Sequence, residues 1–136
     1  SMCDVSDVAP SPSGEHVAFC VDDSGYETYE IRFLPPGKYA AIPDVAGSLC
    51  WRDDLTLLYV RHDGAHRPYQ VWLHRLDSSP EEDDTLLFEE PDELFNVACE
   101  RELDGSVLIS SFSKETSEVY VLSDDDELRS VRPRQV

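Results

Sequence analysis

Hydrophobic positions along this chain recur with a period of two, in short runs closed by turn formers. Val17-Ala18-Phe19-Cys20-Val21 lies between Gly14 and Asp22-Asp23-Ser24-Gly25, and Tyr29-Glu30-Ile31-Arg32-Phe33 alternates before stopping at Leu34-Pro35-Pro36-Gly37. Further runs occupy residues 57–60, 69–74, 85–88, 95–99, 107–110 and 118–122. Each is strand-length and rich in β-branched or aromatic residues, and alternation of this kind sends successive side chains to opposite sheet faces. No window carries a helical stripe, and nine prolines punctuate a chain whose helix interiors would reject them. The pattern predicts an all-β protein.

A repeat organises the runs. Pro12-Ser13-Gly14 before His16-Val17-Ala18-Phe19 has a counterpart in Arg52-Asp53-Asp54 before Thr56-Leu57-Leu58-Tyr59. A third copy is Leu103-Asp104-Gly105 before Val107-Leu108-Ile109-Ser110. The offsets are 40 residues from Gly14 to Asp54 and 51 from Asp54 to Gly105. Tyr29 and Ile31 match Tyr69 and Val71 at the same 40-residue spacing, and Glu118-Val119-Tyr120-Val121 holds that place in the third copy. A four-stranded unit at this period is the signature of propeller blades. The expected blades are 4–45, 46–91 and 92–136, with the extra length of the second in Ser78-Ser79-Pro80-Glu81-Glu82-Asp83-Asp84. A β-sandwich is the alternative, since it also uses many short strands. Closed propellers use four to eight blades, so three predict a propeller fragment, part of a longer protein, or self-association. The terminal blades, with Val17 and Phe19 in the first and Val107, Ile109, Val119 and Val121 in the third, would each leave one apolar face in water.

Composition narrows the function classes. Among 136 residues, 29 are acidic and 11 basic, a formal charge of -18. That balance opposes nucleic-acid phosphates and anionic membranes, which both require concentrated Lys and Arg. No run of 18 apolar residues exists, so no helical membrane span is predicted. The start lacks a secretory signal pattern, and Ser1-Met2 reads as the remnant of a purification tag. Cys3, Cys20, Cys50 and Cys99 form no CxxC pair and are expected as free thiols in a reducing cytoplasm.

Candidate chemistry is sparse. There is no G-x-S-x-G elbow, no G-x-G-x-x-G, no phosphate-binding P-loop and no H-E-x-x-H. No catalytic residue, cofactor or metal is therefore assigned to the chain. His62-Asp63-Gly64-Ala65-His66 has zinc-type donors, yet Asp-Gly between two strands reads as a turn. His16 reads as a turn residue and His74 as an alternating strand residue. From Asp77 to Glu100 there are ten carboxylates and no Lys or Arg. The expectation is a solvated face from Asp77 to Glu93, with residues 80–84 in a mobile loop, whose field could draw basic peptides. Asp124-Asp125-Asp126-Glu127 reads as a charged hairpin turn. Trp51 and Trp72 are assigned to blade packing.

Longer strings carry a family resemblance. Arg67-Pro68-Tyr69-Gln70-Val71-Trp72-Leu73-His74-Arg75-Leu76, Leu87-Phe88-Glu89-Glu90-Pro91-Asp92-Glu93-Leu94-Phe95 and Ile109-Ser110-Ser111-Phe112-Ser113-Lys114-Glu115-Thr116-Ser117-Glu118-Val119 occur in order. Together with the opening residues 11–19 and 29–33, they resemble the N-terminal propeller of the prolyl oligopeptidase family, in its oligopeptidase B branch. The resemblance implies a seven-bladed propeller and a C-terminal α/β-hydrolase domain that holds the Ser, Asp and His triad. It further implies that the propeller restricts the site to short peptides, cleaved after Lys or Arg. No triad residue maps onto this chain. Asn96-Val97-Ala98-Cys99-Glu100 departs from a stretch usually richer in Gly, which suits a divergent oligopeptidase-B-like paralogue. A non-catalytic propeller scaffold that binds basic peptides or proteins is the competing expectation.

Overall fold

The computed structural model describes residues 4–22, 24–26 and 28–134. Cys3 and the tag-like Ser1-Met2 lie outside the described residues. The strands are β1 (Asp4–Pro10), β2 (Val17–Asp22), β3 (Tyr29–Leu34), β4 (Ile42–Val45), β5 (Leu49–Asp53), β6 (Thr56–His62), β7 (Pro68–Arg75), β8 (Thr85–Glu89), β9 (Asn96–Arg101), β10 (Val107–Phe112), β11 (Ser117–Leu122) and β12 (Leu128–Arg132). One helical turn, α1 (Pro80–Asp83), precedes β8. The strands form three four-stranded antiparallel sheets, β1-β2-β3-β4, β5-β6-β7-β8 and β9-β10-β11-β12, each a simple meander.

The middle sheet is buried on both faces, and this defines the stacking. Leu57 and Tyr59 of β6 pack with Ala18, Cys20, Ile31, Phe33 and Trp51 between the first two sheets. Leu58, Val60, Val71 and Leu73 turn the other way, against Val97, Cys99, Val107, Ile109 and Leu122 of the third sheet. Five consecutive residues of β6, Thr56 to Val60, are consequently buried. Stacked meanders of this kind are neighbouring propeller blades.

The first strands of the sheets lie side by side and run parallel. Leu49 N–H donates to Asp7 Oδ2 (3.1 Å), and Trp51 Nε1 donates to Ala9 O (2.8 Å). Arg101 on β9 donates in turn to the carbonyls of Trp51 (3.3 Å) and Arg52 (2.6 Å). Trp51, 3% exposed, thus packs between the first two blades, in keeping with its assignment to blade packing. Because these strands are parallel, the turns after β1, β3, β5, β7, β9 and β11 gather at one end.

Two expectations require correction. Val107 and Ile109 are buried against the middle sheet; the outward face of the third sheet carries Leu108, Val119, Val121 and Phe112 instead. Within the segment 80–84, expected as a loop, residues Pro80–Asp83 form a helical turn, with Glu81, Glu82 and Asp83 in that turn and Asp84 extended after it; proline and acidic residues suit the exposed N–H groups.

Candidate functional site between the stacked sheets

The acidic run contains two buried carboxylates, and both sit where sheets meet. Asp84 follows α1 directly. Its Oδ2 accepts from the Tyr59 hydroxyl at 2.5 Å and its Oδ1 pairs with His74 Nδ1 at 2.6 Å. The His74 and Asp84 side chains are 0% and 1% exposed. His74 also stacks on Phe33 of the first sheet at 6.2 Å, while its Nε2 has no hydrogen-bond partner among the described residues. Burial, then the bonded Asp84 carboxylate, raises the Tyr59 phenol far above its ordinary range. Arg61 lies over the rings of Tyr59 (5.5 Å) and Trp72 (5.1 Å), and Trp72 Nε1 donates to Gln70 Oε1 at 3.0 Å.

Glu90 is the second buried carboxylate, 2% exposed. It accepts from Ser111 Oγ at 2.6 Å and from Asp92 N–H at 3.0 Å, and it pairs with Arg134. Burial pushes this carboxyl up, but those three donors outweigh it and hold it below the usual glutamate range. Arg134 also pairs with Glu118 at 2.9 Å and lies 3.7 Å over the Phe95 ring. Alongside, Arg67 donates to the carbonyls of Asp92 (3.0 Å), Phe95 (2.8 Å) and Glu90 (3.2 Å) and to Asp63 Oδ2 (3.1 Å). One guanidinium thereby ties the β6–β7 turn to the connection between the second and third sheets. The expected solvated face from Asp77 to Glu93 is corrected at these two positions: Tyr59, His74, Ser111 and Arg134 supply the donors that make burial of a carboxylate tolerable.

The His62–His66 segment is a turn. Asp63 Oδ1 accepts from the amides of Ala65 (2.9 Å) and Arg67 (3.0 Å). The Arg67 amide bond is the main reason that this carboxyl is held below its ordinary range. His62 and His66 stack at 4.8 Å. Both His62 nitrogens are engaged, by the Asp63 carbonyl (3.0 Å) and the Thr28 hydroxyl (3.3 Å). The rings edge a cavity of about 460 Å³ with Tyr29, Ser48, Val97 and Ala98. Among the described residues, no three metal-type ligands converge. His16 is buried with its ring edge-on to Tyr39 at 5.2 Å.

The end holding the turns after the odd-numbered strands is acidic. Asp53, Glu81, Glu82, Asp83, Glu102, Asp104, Asp124 and Asp125 are exposed there. Arg52 and Arg75 at this end both pair with Asp126 of the β11–β12 turn. A second cavity of about 430 Å³, lined by Arg52, Asp53, Asp104, Ser106 and Asp124 among others, opens between those turns. Sequence reasoning located this charge but missed the partners of Asp84 and Glu90. The alternation that placed His74 on a strand face offered the sole hint of its burial.

The described chemistry is that of a packed β-scaffold. Ser111 Oγ, the buried serine hydroxyl nearest the acidic network, donates to a carboxylate. The fold defines the class: a β-propeller fragment in which Glu90 ties the second sheet to Ser111 and Arg134 of the third, while Asp84 bonds Tyr59 and His74 within the second. Residues 1–135 match the prolyl oligopeptidase N-terminal β-propeller domain, and the chain belongs to that family. The chain is 36% identical to Protease 2 of Moraxella lacunata over 113 residues, 79% of this chain and 16% of that protein. It superposes on oligopeptidase B of Leishmania major with a TM-score of 0.90 and 34% identity, covering 99% of this chain and 20% of that one. For Trypanosoma brucei oligopeptidase B, solved with covalently bound antipain in a closed form, the TM-score is 0.91 at 34% identity, over 98% and 20% of the two chains. The chain thus spans about a fifth or less of the length of these relatives.

Proposed function

We propose that this chain is part of the propeller of an oligopeptidase-B-like serine endopeptidase, where it restricts access to a hydrolase domain to short peptides cleaved after Lys or Arg. The observation that carries this reading is the superposition of nearly the whole chain on oligopeptidase B at 34% identity. The acidic end adds a physical reason. Carboxylates gathered beside a low-dielectric wall raise the local concentration of cationic peptides and fade with salt. In this reading the propeller supplies steering and exclusion, the hydrolase domain supplies the nucleophile, and the parent protein is cytoplasmic.

The test is kinetic, on the full-length parent. Fluorogenic peptides ending in Arg or Lys at the cleaved bond should be turned over with higher kcat/KM than Pro-containing ones, and kcat/KM should collapse as flanking length grows. Equal turnover of long unfolded chains, or preference for Pro, would overturn the reading. A second reading, a non-catalytic scaffold for basic peptides, rests on the same acidic end. It requires salt-sensitive binding of an oligo-lysine peptide by the 136-residue chain and a parent without peptidase activity.

A further inference from the structure

We propose that the cavity at the His62–His66 turn is a binding site for a small neutral aromatic ring that carries one hydrogen-bond donor, as in a phenol or an indole. The turn joins β6 to β7, so the cavity lies at the end of the stacked sheets away from the acidic one, and the inference is independent of the peptidase reading. Its volume of about 460 Å³ falls within the roughly 300–1,000 Å³ of small-molecule sites. All three sheets contribute. Tyr29 comes from the first, the two histidines from the second and Ala98 from the third. Tyr29, His62 and His66 offer ring surfaces, whereas Ala46, Gly47 and Ala98 are small and leave room. Gly47 matters for the close approach: a Cβ there would come within 3.0 Å of Tyr29 Cε2 and 3.3 Å of its Cζ. Without one, the Tyr29 ring rests directly against the chain.

The imidazole pair is held in place by the protein itself. Both His62 nitrogens are engaged, by the Asp63 carbonyl and the Thr28 hydroxyl, and His66 stacks on that ring with the two planes 25° apart. The His66 backbone is left-handed, with φ 62°, and its amide donates to the Asp63 carbonyl at 3.0 Å. The His66 ring nitrogens have no hydrogen-bond partner among the described residues. A neutral imidazole keeps one acceptor nitrogen, so a ligand O–H or N–H has a place to donate. Ring surfaces favour an aromatic over a saturated ligand, because offset and edge-to-face contacts add to apolar burial. Among the described residues, no Lys, Arg, Asp or Glu lines the cavity. An ionic ligand would therefore lose water without gaining a counter-charge, and an anion would also meet the charge of -18.

The experiment titrates the isotope-labelled full chain with p-cresol and with indole, following backbone amide shifts by NMR. Two matched probes accompany p-cresol: its methyl ether, which lacks the donor, and methylcyclohexanol, which keeps the donor without the aromatic face. The expected result is saturable binding of p-cresol with a Kd of about 1 mM, as suits so few atoms, and shifts centred on Gly47, Ser48, His66 and Ala98. Each matched probe should bind about fivefold more weakly. N-acetyltyrosinamide separates the two sources of such a ring: binding comparable to p-cresol assigns the site to an aromatic side chain, and exclusion assigns it to free small aromatics. His66→Asn removes the ring but keeps a residue that tolerates the left-handed backbone. It should weaken p-cresol about fivefold with Tm unmoved, and Tyr29→Leu tests the opposite ring should that variant fail to fold. Shifts that do not saturate, shifts centred on the outer faces of the first and third sheets, equal affinity for methylcyclohexanol, or full affinity in a folded His66→Asn chain would overturn the proposal.

Discussion

Asp84 and Glu90 show how far a residue's neighbours override its sequence context. Both belong to a run of carboxylates, yet each is buried because two or more donors from other strands converge on it. Replacing Asp84 by Ala would leave the Tyr59 hydroxyl and the His74 Nδ1–H buried and unpaired. The expected loss is about 2–5 kcal/mol in urea unfolding, whereas Glu81→Ala on the exposed turn should leave the transition unmoved. Equal midpoints for the two variants would refute the role given to Asp84. Glu90 makes a pH prediction. Its folded-state carboxyl is held below the ordinary range, so its contribution is present above the unfolded glutamate value of about 4.3 and is lost as pH falls through the lower folded value. Unfolding free energy measured from pH 3 to 7 should therefore fall less steeply on the acid side in Glu90→Gln than in the parent chain. An unchanged slope would remove Glu90 from the acid response.

At the scale of elements, the repeat was legible but its facing was not fully so. Aligning turns equates Leu58 with both Ala18 and Ile109. The first equivalence holds, since Ala18 and Leu58 each face the following sheet. The second fails by one residue, since Ile109 faces the preceding sheet and Leu108 holds the place of Leu58. A one-residue slip moves every side chain to the other face, which is why Val107 and Ile109 point inward and Leu108 outward. The connections are similarly specified by single side chains. Arg67 reaches three carbonyls of the β8–β9 connection with a planar fork, which a lysine ammonium cannot reproduce. Arg67→Lys should cost about 1.5–3 kcal/mol and speed amide exchange across residues 90–96. Wild-type exchange protection in that segment would show that the fork is dispensable.

For the whole molecule, the stacking of sheets sets what is left uncovered. Val8 (62% exposed) and Leu34 (43%) lie on the outer face of the first sheet, and Phe112 (38%) and Val131 (52%) on that of the third. The middle sheet shows what such faces become when covered on both sides. Each large apolar side chain left in water forgoes roughly 1.5–3 kcal/mol of burial, so these faces favour self-association, which the charge of -18 opposes most strongly at low salt. Raising salt should shift the chain toward larger species in sedimentation velocity, with the shift growing with protein concentration. A monomer unaffected by salt and concentration would show that the outer faces are not adhesive.

Local pattern determined a good deal by itself. The period-two runs fixed strands at Tyr29–Leu34 and Pro68–Arg75, the 40-residue offset marked out successive meanders, and the strings around Arg67 and Ile109 pointed to the family. These features are local, because side-chain alternation and turn chemistry act over a few residues. Tertiary structure alone decided that Asp84 and Glu90 leave water, that His74 meets a carboxylate 10 residues away, and that Cys50 and Cys99 share one interface. Those outcomes depend on which strands and faces meet in three dimensions, and a carboxylate or thiol reads the same in sequence whether its partner is water or a donor on another strand.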